Sequence, residues 1–338
     1  MMRTEALERV LGTVSTGERG GPLVLVTVGI HGNEPAGLHA MRRVLRDLGR
    51  HDVALRGRLA AFVGNRAGLA RNVRYVDEDM NRLWTHGRIA EMRRADPVRD
   101  SVERGEQREL IDLLEAELGA ADGGVTHLDL HSTSGDGPPF TIVSGPAASR
   151  VAAERFGVPT LLGLDPLIAG TLIEYVGSLG HPAVVLEGGQ NEAPATIDHH
   201  ESAVWVTLCG SGVVAENAVP GGLARHRDRL AAAAGGLPGT IEVSYVHRLA
   251  PGEDFAMLPG FRNFHAVARG DLLAHSDLGN PGGGRTREVR APASGILLMP
   301  RYQGQGLDGF FLGRAAGPAP AASPSGIGPA DATATTLG

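Results

Sequence analysis

Two residues three apart, His31 and Glu34, follow an apolar run in the segment LVLVTVGIHGNEPAG. An imidazole and a carboxylate across a tight turn can converge on one cation, and that donor mixture suits zinc. A solvated loop with a chance His and Glu would read the same over so few residues. A catalytic zinc needs a third protein ligand and an open position for water. The segment THLDLHS offers one, because strand alternation puts His127, Asp129 and His131 on one face with His131 at the exit. Asp129 is then placed to fix an imidazole from behind. A polar strand end is the plainer reading of His131 taken alone.

Two further stretches carry reactive groups. The segment RYVDEDMNRLW concentrates Arg74, Asp77, Asp79, Asn81 and Arg82. Guanidinium forks pair two carboxylate oxygens at once and an amide adds a donor, so Arg and Asn together suit a carboxylate. A second Arg could face a scissile carbonyl and stabilise the oxyanion. In VVLEGGQ, Glu187 follows an apolar strand and precedes two glycines. A carboxylate there can take a proton from a metal-activated water and hand it to a leaving amine, or simply cap a loop.

Buried strands must present these groups. Residues 23–30 are rich in Val and Leu with little alternation, as in a strand covered on both faces. Pro35 suits the first turn of a helix, and Leu38, Met41, Val44, Leu45 and Leu48 recur at helical spacing. The site residues thus fall at strand carboxyl ends, where open α/β sheets place ligands. Further strands are expected at 58–65, 125–132, 140–145, 159–164 and 182–189, with helices over 106–118 and 195–216. Residues 1–22 read as a lead-in and 66–100 as a long ordered loop, of the kind that is usually functional. The character changes at Val219-Pro220-Gly221-Gly222. This divides the chain into an α/β part over 1–218, a small β domain over 222–314 and a tail from Ala315 too poor in apolar residues to fold.

Composition narrows the function. A chain of 338 residues can bury a large core, and 42% hydrophobic with 21% charged residues is ordinary for a soluble globular protein. A net charge of −6 with interspersed signs argues against nucleic acid as a partner. The lone Cys209 excludes a disulfide framework and a cysteine zinc cluster, so any metal here uses His and carboxylates. No run has the length of a membrane span and the N-terminus lacks a signal-peptide core, so the expected location is cytoplasmic. Serine hydrolysis is disfavoured by the lack of G-x-S-x-G, and nucleotide binding by the lack of a P-loop or G-x-G-x-x-G.

In order, HGNEP, RYVDEDMNR, DLHS and LEGG resemble the succinylglutamate desuccinylase and aspartoacylase family of the zinc carboxypeptidase superfamily. The likeness covers the chain to about residue 218 and implies a mixed α/β sheet flanked by helices, followed by a smaller C-terminal β domain. It implies one Zn2+ per chain held by His31, Glu34 and His131, with Glu187 as general base and acid. Arg74 would polarise the amide carbonyl, and Asn81 and Arg82 would bind the substrate carboxylate, with Asp129 and Asp79 supporting the ligands. Tyr302, in MPRYQGQG, resembles a tyrosine that the β domain adds to the pocket in some members. The family often has Asn-Pro after the second strand, where this chain has Asn65-Arg66. The expected substrate is a small N-acyl amino acid; the acyl group, the amine and the oligomeric state stay open. A carboxypeptidase acting on short peptides and a non-catalytic metal-binding protein are the alternatives. An open groove would favour the first, and Glu187 beside all three ligands disfavours the second.

Overall fold

The computed structural model describes residues 7–15, 20–277 and 287–316. Its elements run β1 (Val10–Ser15), β2 (Leu23–Val28), α1 (Ala36–Arg50), β3 (Arg58–Val63), α2 (Arg66–Arg71), α3 (His86–Arg94), α4 (Val102–Gly119) and β4 (Val125–Thr133). There follow β5 (Phe140–Ser144), α5 (Ala147–Glu154), β6 (Thr160–Leu162), α6 (Leu172–Ser178), β7 (Ala183–Gln190), α7 (Pro194–Gly210) and α8 (Leu223–Ala234). The C-terminal strands are β8 (Thr240–Arg248), β9 (Asp254–Met257), β10 (His265–Val267), β11 (Leu272–Asp277), β12 (Arg287–Arg290), β13 (Gly295–Leu298) and β14 (Asp308–Ala315).

Among the described residues, eleven strands form one mixed sheet in the order β1-β3-β2-β4-β7-β5-β6-β8-β14-β13-β10, and β12-β11-β9 form a small antiparallel sheet. Its centre is parallel: β3, β2, β4 and β7 run side by side, with β5 antiparallel to β7. All six residues of β2 are buried because helices cover both faces. On one face Leu38, Met41, Val44 and Leu48 of α1 pack with Val24, Val26, Val28 and Trp205. On the other, Ile89, Leu110, Ile111, Leu114 and Ile173 pack against Leu25 and Phe62. Each such burial is worth about 2 kcal/mol, which makes this parallel centre a stiff platform for the loops above it.

The structure departs from the sequence reading in places. The lead-in contains β1, which pairs with β3. The stretch expected as loop over 66–100 contains α2 and α3. Asn65 accepts from the Gly68 amide at 2.8 Å, Thr85 from Arg88 at 3.2 Å, and Ser101 starts α4 by accepting from Arg104 at 3.1 Å. Caps replace apolar periodicity there, so a pattern search finds nothing. α7 stops at Gly210, short of residue 216, and Val214 instead bridges Leu55. α8 buries Leu223 and Leu230 in the core that α7 lines, and β8 hydrogen-bonds to β6. The tail lies outside the described residues except Ala315, which ends β14, and Ala316.

Candidate active site

Three adjacent parallel strands end together. β2 leads into the His31–Glu34 turn, β4 carries His131, and β7 carries Glu187, which is the register partner of His131. Gly32 lets that turn form against α2: a Cβ there would run into the Gly68–Leu69 backbone. One donor atom each from His31, Glu34 and His131 lie within 4.8 Å of one another, and all three residues are buried.

Orientation supports these three as ligands. His31 Nδ1 faces Glu34 Oε1 at 2.8 Å and His131 Nδ1 faces Glu34 Oε2 at 3.0 Å. The other ring nitrogens meet carboxylates, His31 Nε2 to Asp79 at 3.2 Å and His131 Nε2 to Asp129 at 3.0 Å. A carboxylate at Nε2 can hold the ring proton there, which would leave both Nδ1 atoms able to share one cation with Glu34. That donor set fits a divalent cation with imidazole and carboxylate ligands. Thr27 in turn donates to Asp129 at 2.6 Å, and His200 donates to the His131 carbonyl at 2.7 Å.

Charge pairing runs through the site. Against the cost of burial, the His31 and His131 imidazoles hold the Glu34 carboxyl below its ordinary range. Burial likewise opposes ionisation of Asp79, yet Arg74 and then His31 keep it well below that range. The Asp129 and Glu34 carboxylates overcome burial to hold the His131 imidazole well above its usual value. Glu187 goes the other way: burial, with Glu34 adding to it, pushes its carboxyl up to about 8, and its Oε2 is buried without a partner. A carboxyl with such proton affinity can both accept and release a proton near neutrality.

Arg74 lies over Asp79, donating through Nε at 3.3 Å and Nη2 at 3.2 Å, with Nη1 3.5 Å from Glu34. Asn81 Oδ1 accepts from the Leu172 amide at 2.9 Å, which fixes the side-chain amide with its nitrogen free. Arg82 donates to the Asn81 carbonyl at 2.8 Å and to Asp308 at 2.6 Å. Arg74, Asp79, Asn81, Arg82 and Asp308 line one cavity of about 130 Å³ with His31, Glu34, His131 and Glu187, while Asp129 stands behind His131. Tyr302 is not brought to it. Its hydroxyl donates to the Leu258 carbonyl at 2.7 Å, and Arg301 and Gln303 on either side line the cavity instead.

Sequence reasoning did not find Asp308, Arg301 or Glu103. Glu103, at the start of α4, is fully buried and accepts from Asn65 Nδ2 at 2.8 Å and the amides of Val76, Asp77 and Glu78 at 2.7, 2.9 and 3.1 Å. It holds the segment between Arg74 and Asp79. No local signal marks Asp308 or Glu103, because their partners lie far away in sequence, and the Arg301 side chain bonds to carbonyls of its own loop.

A mixed α/β sheet with such a carboxylate and imidazole cluster at its strand ends has the makings of a metal site. Residues 20–204 match the family described as the succinylglutamate desuccinylase/aspartoacylase catalytic domain, and the chain belongs to that family. The succinylglutamate desuccinylase of Burkholderia pseudomallei (strain 1710b) is 32% identical over 163 residues, 48% of this chain and 41% of the relative. The matched region is thus less than half the length of that relative. Among solved structures, a succinylglutamate desuccinylase from Silicibacter sp. TM1040 superposes with a TM-score of 0.60 at 18% identity, covering 88% of this chain and 87% of that one. The product-bound ectoine utilization protein EutE (DoeB) from Ruegeria pomeroyi gives 0.59 at 20% identity, covering 90% and 87%. At these identities both likenesses concern the fold. Among the described residues, no helix is long and apolar enough to cross a membrane.

Proposed function

We propose that the chain is a zinc-dependent deacylase that hydrolyses the amide bond of a small N-acyl amino acid. The observation that carries this is the buried His31, Glu34 and His131 group, with donor atoms within 4.8 Å of one another. Bound there, zinc supplies Lewis acidity that makes water a nucleophile near neutral pH. Glu187 takes the proton from the attacking water and returns it to the leaving amine nitrogen. Arg74, tethered over Asp79, keeps N–H donors for the oxygen that gains charge at the scissile carbonyl. Asn81 offers its free amide nitrogen, and Arg82 its guanidinium, to the substrate carboxylate. A cytoplasmic setting belongs to the same proposal and rests on the lone Cys209.

Small substrates are favoured over peptides because residues 299–308 lie across the cavity. Gln303 accepts from Asn33 at 2.7 Å, Gln305 donates to the Tyr75 carbonyl at 2.9 Å, and Asp308 meets Arg82. Amine release from N-acyl amino acids and short peptides tests the proposal. Wild-type protein is expected to act on the former and to lose activity with a chelator. Glu187→Gln is expected to keep its metal and lose turnover by at least about 100-fold. Chelator-insensitive activity, or wild-type turnover in Glu187→Gln, would overturn it.

A further inference from the structure

The cavity has two unlike walls. One is the polar side already described. The other is mostly hydrocarbon, with Ile142, Ile168, Ile173, Val185, Leu307 and Phe311 beside Asp165 and Thr171. Val185 precedes Glu187 by two residues on β7 and is the register partner of Ile142 on β5, so both lie on the face of the sheet that carries Glu187. The apolar wall therefore begins beside the proposed proton shuttle and continues to Ile173 of α6 and Phe311 of β14.

Of the three guanidiniums on the lining, two are paired with carboxylates. Arg74 is committed to Asp79. Arg82 is paired at 2.6 Å with Asp308, which also pairs with Arg248, so two guanidiniums share one carboxylate and the trio has a net charge of +1. Arg301, the third, bonds within its own loop, Nη2 donating to the Gly304 carbonyl at 2.6 Å with the group 5.9 Å from the Phe255 ring centre, while its Nη1 is buried without a partner. A second substrate carboxylate placed on the hydrocarbon wall or beside Asp308 would be buried unpaired, which is costly.

We propose that this site selects substrates with one carboxylate and an uncharged hydrocarbon arm, the arm lying on the Ile142–Val185 wall, with Asp308 as the residue that limits the carboxylate count. This rests on the deacylase reading and names its substrate class. The arm could belong to the acyl group or to the amino acid, and the test separates these sources.

The experiment measures kcat/KM along two ladders, N-acetylglycine to N-hexanoylglycine and N-acetylglycine to N-acetylleucine, beside N-acetylaspartate and N-succinylglutamate. One ladder is expected to climb about fourfold per added methylene until the wall is filled, and the two polycarboxylates to fall at least about tenfold below its best member. Ile168→Asp, in a loop, is expected to flatten the climb. Asp308→Asn is expected to improve N-acetylaspartate at least about tenfold relative to N-acetylglycine. Calorimetric affinity of Glu187→Gln for the uncleaved amides should follow the same order. Two flat ladders, or N-succinylglutamate as the best substrate with Asp308→Asn unchanged, would overturn the proposal and leave the deacylase reading intact. No amine from any substrate would sink both.

Discussion

Replacing Glu103 by Gln tests whether a buried carboxylate outside the cavity holds the Arg74–Asp79 loop in shape. Each Glu103 oxygen accepts two N–H groups, one serving Asn65 Nδ2 and Val76, the other Asp77 and Glu78. Glutamine keeps one acceptor and presents an NH2 group to the other pair, donor against donor. A flip of Asn65 does not rescue the fit, since its Oδ1 is already held by the Gly68 amide at 2.8 Å. Two charge-assisted bonds lost at about 1.5 kcal/mol each give about 3 kcal/mol of destabilisation. Urea unfolding of the two proteins measures it, with the exposed Asp112→Asn on the same helix as the control, expected within about 0.5 kcal/mol of wild type. Because the held segment joins Arg74 to Asp79, kcat is expected to drop as well. A Glu103→Gln protein as stable as Asp112→Asn would refute the reasoning.

Acid should weaken the fold through two interior histidines. Burial holds His127 and His200 at about 4, against an ordinary 6.5, so between those values the unfolded chain binds more protons than the folded one. Their stabilising contribution is complete above pH 6.5 and is lost as pH falls toward 4, by about 3 kcal/mol per histidine. His127→Gln should shrink the loss measured by urea titration at pH 4.5 and 7, and an unchanged loss would contradict this. Gly32→Ala should cost about 3 kcal/mol, because its Cβ runs into the Gly68–Leu69 backbone; a melting temperature equal to wild type would show that the turn has room.

Local patterning reveals what is buried, and the site residues were legible because they terminate buried strands. The Val and Leu runs of β2, β4 and β7 mark the centre of the sheet, so His31, Glu34, His131 and Glu187 could be placed at one edge from sequence. Helices α2 and α3 left no such trace, since polar caps start them and few of their side chains reach the core. Nothing near Arg82 announces Asp308, 226 residues on, nor does anything near Val76 announce Glu103. Those pairings are set by how distant loops meet. For the same reason a motif position such as Tyr302 can fall beside the cavity yet direct its hydroxyl to the Leu258 carbonyl.

The central claim is that His31, Glu34 and His131 jointly hold one divalent ion. Equilibrium dialysis of the apo-protein against zinc, read by elemental analysis, tests it most directly. The expected result is one equivalent per wild-type chain. His131→Ala should bind more than about 100-fold more weakly, since even partners that only orient a ligand are worth 10–100-fold. Wild-type protein that takes up no zinc, or His131→Ala that binds it as tightly, would contradict the account.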